Sequence, residues 1–197
     1  MTGRRFAARG AFVLAAVACG GERPAADAAD PDALLASLQL TLDTVENLEV
    51  RQYEVPPNVR REIANDSTAT TVALITLPAK REALASFAVR YRGPAPLQLA
   101  AIELEVGGER ARLRVDSARL QAFESLGAHY ETTYFSMEDG ELSRVLAQLE
   151  TDTVGVVRFL GREGRVEHRL TSWERMGIRD VHRAYQALRV NGYRVER

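Results

Sequence analysis

Residues 102–115 read IELEVGGERARLRV, apolar on even positions before a glycine pair and on odd positions after it. Alternation of period two on both sides of a two-residue break is the pattern of a half-buried antiparallel hairpin, and glycine reaches the positive φ that its tight turn needs. With Gly107-Gly108 as the turn, Glu105 faces Arg110 and Glu103 faces Arg112 on one side. Leu104 faces Ala111 and Ile102 faces Leu113 on the other. One register thus sorts every ion pair from every apolar pair, so the charges read as the solvated face of a sheet rather than as a working site.

Weaker alternation marks further strands. Phe87, Val89 and Tyr91 alternate with Ala88, Arg90 and Arg92 and lead into Gly93-Pro94. Residues 71–77 are apolar on both parities, as a strand covered on both faces would be. Leu48, Val50, Tyr53 and Val55 change phase near Gln52, which predicts a bulged strand. Residues 129–136, 154–160 and 165–170 complete about eight strands, with a weaker ninth at 38–42. Within 129–136, Tyr130, Tyr134 and Phe135 are candidates to line a groove, although aromatic residues on strands are commonly core.

Two stretches switch to helical spacing. Leu142, Val145, Leu146 and Leu149 follow Asp139, a capping residue, and predict a short helix near 139–149. Thr171 and Glu174 form a capping box for a helix near 172–190, with Trp173, Gly177, Val181, Ala184, Tyr185 and Leu188 on one apolar arc. Arg175, Arg179, Arg183 and Gln186 lie opposite, Asp180 sits at the rim beside Arg179 and Arg183, and Asn191-Gly192 supplies the stop. Strands followed by a packed terminal helix give an α+β class with a mainly antiparallel sheet or sandwich.

The composition fits one globular domain: of 197 residues, 46% are hydrophobic and 27% charged, with a formal net charge of -1. Lys80 is the single lysine, so nearly all positive charge is arginine. Residues 22–54 hold eight acids against two arginines, and residues 158–197 hold ten arginines against five acids. Acids interrupt the arginines of the second stretch, as on a solvated face, and no nucleic-acid partner is expected.

The amino-terminal segment MTGRRFAARGAFVLAAVACGG places Arg4, Arg5 and Arg9 before an uncharged run and then small residues. That is the layout of an export signal, and the run is too short to cross a bilayer. Phe6 directly after Arg4-Arg5 departs from a twin-arginine motif. Ala16-Val17-Ala18-Cys19 resembles the lipobox of bacterial lipoproteins. That resemblance implies cleavage before Cys19, acylation of Cys19 and, with Gly20 rather than an aspartate next, an outer-membrane anchor facing the periplasm. Residues 1–18 are then the signal peptide, 19–36 a lipidated tether and 37–197 a single β-rich domain. Cys19 is the only cysteine, so no disulfide can form within the mature chain and apolar packing must hold the fold.

No catalytic motif stands out. His129, His168 and His182 have no metal-ligand spacing, no serine occupies a nucleophile elbow, and no phosphate-cradling glycine loop occurs. His168 lies on an inward strand parity and reads as tucked in. Glu138, Asp139 and Glu141 cluster at a helix start, where acids favour the dipole rather than a calcium ion. Hence no catalytic, metal or cofactor site is expected. The leading expectation is a membrane-anchored, non-catalytic envelope accessory or interaction domain. A protein binding a small or lipid-like ligand in a cleft beneath the terminal helix, walled by Trp173 and Tyr185, is the second. A hydrolase in which one of the histidines meets both a carboxylate and a hydroxyl is the third.

Overall fold

The computed structural model describes residues 30–43, 48–52, 68–78, 82–149 and 153–190. Within them the glycine turn forms as the alternation requires, with φ of 58° at Gly107 and 88° at Gly108. It joins strands β5 (Leu99–Val106) and β6 (Glu109–Arg114) in the expected register. Arg110 meets Glu105 and Arg112 meets Glu103, each at 3.2 Å. β9 (Gly155–Gly161) flanks β5 on its other side, and β10 (Arg165–Arg169) flanks β9. Arg158 of β9 adds contacts to Glu105 at 2.8 Å and Glu167 at 3.0 Å, extending the two expected pairs into a charge ladder across the four-stranded sheet. Arg158 and Arg110 hold the Glu105 carboxyl below its ordinary range.

A second, six-stranded antiparallel sheet runs in the order β1 (Gln39–Asp43), β2 (Leu48–Gln52), β3 (Ala69–Pro78), β4 (Leu84–Gly93), β8 (Ala128–Ser136) and β7 (Gln121–Ser125). The fold is therefore α+β and antiparallel throughout, with ten strands among the described residues rather than about eight. The weak ninth prediction at 38–42 corresponds to β1, while β7 has no counterpart in the sequence reading. All five β7 residues are exposed, so no apolar alternation announces it. The expected phase change after Gln52 lies outside the described residues.

Three helices lie among the described residues. α1 (Pro31–Ala36) starts at an Asp30 cap with Pro31 in its first turn, and Leu35 is buried. It packs on the terminal helix, and Leu35 joins the apolar core. α2 (Gly140–Leu146) is capped by Asp139, which accepts from the N–H groups of Glu141 and Leu142. α3 (Ser172–Val190) lies across β3 and β4, while α2 covers β5 and β6. The stop signal Asn191-Gly192 lies outside the described residues. Inner faces of both sheets and all three helices share one apolar core, including Phe87, Phe159, Ile102, Met137 and Leu146.

The two sheets share no strand, and two buried carboxylates clip them together. Glu131 on β8 accepts three N–H groups at the start of β5, from Leu97 at 2.6 Å, Gln98 at 2.8 Å and Leu99 at 2.7 Å. Gln98 has a positive φ of 53°, which helps curl successive amides round one acceptor. Tyr91 stands beside this clip and donates its hydroxyl to the Ala95 carbonyl. Burial, and then Glu131, raise its pKa and keep it a neutral donor. Gly161 fits the same crossing because a Cβ there would overlap the Leu97 carbonyl oxygen.

Glu174 is the other clip. It closes the expected capping box by accepting from Thr171 N–H at 2.8 Å while Thr171 Oγ1 accepts from Glu174 N–H at 3.2 Å. Its carboxylate also receives the N–H and hydroxyl of Thr71 on β3 and contacts His168 Nε2 on β10 at 2.9 Å. One side chain thereby joins the start of α3 to both sheets. Burial raises its pKa, but the contact with His168 and the N–H donors outweigh that cost, and the net shift is downward.

Candidate interaction surface

Two histidine clusters come closest to catalytic arrangements. In the first, His168 and the Thr71 hydroxyl both bond the Glu174 carboxylate. Nucleophilic catalysis of the triad type needs histidine in the middle, one nitrogen on the hydroxyl and the other on the acid. Here the carboxylate is central and Thr71 gives its proton direction to Glu174, so His168 is not placed to act as base toward Thr71. The arrangement works as an internal brace.

In the second, His182 Nε2 lies 3.2 Å from Ser143 Oγ, and Gln186 Nε2 lies 3.3 Å from both. Burial lowers the His182 pKa and keeps the ring neutral. Among the described residues no carboxylate bonds or ion-pairs with His182, and the neighbouring amide belongs to Gln186. The polar trio links α2 to α3 across an otherwise apolar contact. His129 sits on β8 opposite Gly93 and Glu124 in register, away from both clusters.

The residues singled out from sequence separate in space. Cys19 lies outside the described residues. Trp173 is half-buried in the first turn of α3. Tyr185 is 0% exposed, with its hydroxyl donating to Glu138 at 2.7 Å and its pKa driven up by burial and by that carboxylate. Its ring is fully enclosed at this point. Asp180 forms the expected rim pair with Arg179 at 2.9 Å. The acidic cluster is divided among helix capping by Asp139 and the Tyr185 contact of Glu138.

A different surface emerges from the register of the six-stranded sheet. Odd residues of β3 and β4 face the core and helix α3, so even ones face outward. Across β3, β4 and β8 one outward row is Val72, Ala88, Tyr134; the next is Thr70, Arg90, Thr132, continued by Gln121 of β7; a third is Arg92, Tyr130, Phe123. Val72 is 43% exposed, Leu84 53%, Phe123 52% and Tyr134 41%. The Phe123 and Tyr130 rings stack with centroids 4.9 Å apart. On β3, β4, β7 and β8 this face carries Arg90 and Arg92 and no acidic residue.

Tyr130 and Tyr134 therefore stand on the outer face, whereas Phe135 points inward and packs against the core. The sequence contained the signal: Tyr130 and Tyr134 share a parity with Arg90 and Arg92 across the β4–β8 pair, opposite to that of buried Phe87 and Val89. Reading it required knowing that β4 and β8 are neighbours. No family model matches the chain, and comparisons with curated proteins and with solved structures give no match either.

Proposed function

We propose that the chain is an exported, lipid-anchored envelope protein whose β-rich body is a non-catalytic interaction module. The resemblance of Ala16-Val17-Ala18-Cys19 to a lipobox, behind three arginines and an apolar run, supports the anchor. The observation that carries the interaction reading is the outer face of the six-stranded sheet. Over β3, β4, β7 and β8 it exposes aliphatic and aromatic side chains in rows on either side of a polar one and carries no acid, although acids are common elsewhere in the chain. Grouped apolar exposure of this kind is the mark of a contact surface rather than of scattered surface residues.

Metabolic labelling with a fatty-acid analogue tests the anchor. The chain is expected to take up label and sediment with membranes, and Cys19→Ala to do neither. Equal labelling of the two, or labelling of neither, removes the tether. The ligand-cleft reading draws less support because Tyr185 is fully enclosed, and the hydrolase reading because neither His168 nor His182 stands between an acid and a hydroxyl.

A further inference from the structure

Sheet edges present unpaired N–H and C=O groups, and proteins guard them with charge, bulges or cover. β6 and β10 are guarded: Arg110, Arg112 and Arg114 alternate along one, and Arg165, Glu167 and Arg169 along the other. The six-stranded sheet ends in β1, with sequence QLTLD, and β7, with sequence QAFES; each has a single charged residue, and all five residues of β7 are exposed. Next to β7 stands Leu126, 98% exposed and with a positive φ of 51°, a conformation costly for a branched side chain.

The β7–β8 hairpin fixes which groups of β7 point outward. Its turn is Leu126-Gly127, both at positive φ, closed by Ser125 opposite Ala128. In a two-residue hairpin the closing pair is hydrogen-bonded, and bonded pairs recur at every second residue. Ser125, Phe123 and Gln121 thus bond to β8, and the backbone groups of Ala122 and Glu124 face away from it.

We infer that the chain self-associates through β7, two copies pairing antiparallel about a two-fold axis at Phe123 so that their six-stranded sheets become one continuous sheet. In this register Gln121 faces Ser125 of the second copy and the whole strand overlaps. Ala122 faces Glu124 of the second copy twice, so outward backbone groups meet outward backbone groups and all find partners. Phe123 meets its own copy at the axis, extending the ring stack with Tyr130. Leu126 approaches Leu120 of the second copy, which gives the exposed side chain an apolar neighbour. Shifting the register by two residues either way leaves three of the five β7 residues opposed, and one of these shifts also sets Glu124 against Glu124. Full overlap therefore selects the alignment about Phe123, and hydrogen-bond parity allows it. This inference does not depend on the lipid anchor.

The test replaces Phe123 with the photo-reactive benzoylphenylalanine in the full chain, in cells. Irradiation is expected to give a covalent homodimer, while the same probe at exposed Arg112 on the other sheet gives none. Equal yields at the two positions, no homodimer from position 123, or adducts there only with other proteins would overturn the proposal. The register is read separately, by sedimentation equilibrium of the purified chain with Ala122→Lys and Ala122→Glu, folding being checked by circular dichroism. Two cross-strand charge pairs per interface should set their dissociation constants roughly tenfold apart, Ala122→Lys being tighter. Equal constants would rule out the Ala122–Glu124 pairing.

Discussion

Replacing Glu131 with alanine removes the acceptor that ties the start of β5 to β8. Three N–H groups lose their partner; those of Leu97 and Leu99 are buried, whereas Gln98 is exposed and can turn its N–H to water. A buried donor left without an acceptor costs about 1–3 kcal/mol. Two such donors, partly relieved by water entering the space of the lost side chain, give an expected loss of about 3 kcal/mol. Glu131→Gln keeps one oxygen and should lose about half of that. Urea unfolding followed by fluorescence of Trp173, the only tryptophan, measures both. Hydrogen exchange at the amides of 97, 98 and 99 should accelerate in both variants before global unfolding does. Glu131→Ala within about 0.5 kcal/mol of the native chain, or Glu131→Gln as damaging as Glu131→Ala, would show that these bonds do not clip the sheets.

The second clip is pH-sensitive. Glu174 has its pKa lowered on folding from 4.5, so the stability it contributes is complete above that value and lost as pH falls through the folded one. Glu174→Gln should be less stable by about 2 kcal/mol at pH 7 and show a flatter acid limb in urea titrations; an unchanged limb would contradict the assignment. His182, held neutral by burial, likewise makes the native chain lose stability as pH falls from 6.5, and His182→Gln should remove that part of the slope. Gly161→Ala should cost about 2–3 kcal/mol in thermal or urea unfolding because Leu97 and its backbone must shift; a neutral effect would mean the crossing is loose. Tyr185→Phe should lower stability by about 1 kcal/mol or less because Glu138 is exposed and can bond water, whereas Tyr185→Ala should cost about 3–5 kcal/mol by emptying the core.

The hairpin at 107–108 was legible because turn chemistry, apolar parity and charge sign agree within fourteen consecutive positions. The capping box at Thr171 was legible for the same reason, since both halves are local. β7 was not, because a strand exposed on both faces has no apolar period to display. α1 is only six residues long and too short to show a helical apolar period, although aspartate followed by proline is itself a helix-start signal. The clips could not be read at all: Glu131 bonds residues 32, 33 and 34 positions away, and Glu174 bonds Thr71 at a separation of 103. Their only trace is an acid on the inward parity of a strand or in the first turn of a helix. The acid-free outer face became visible once pairing of β3, β4, β8 and β7 was known, because the relevant residues are spread from Thr70 to Tyr134.

Export and acylation at Cys19 underlie the proposed role, and the mature amino terminus reports on both at once. Mass spectrometry of the amino-terminal peptide of the chain isolated from its native cells should find it beginning at Cys19, with the cysteine carrying a diacylglyceryl thioether. A peptide that retains Met1 through Ala18, or that begins elsewhere with Cys19 unmodified, would contradict it.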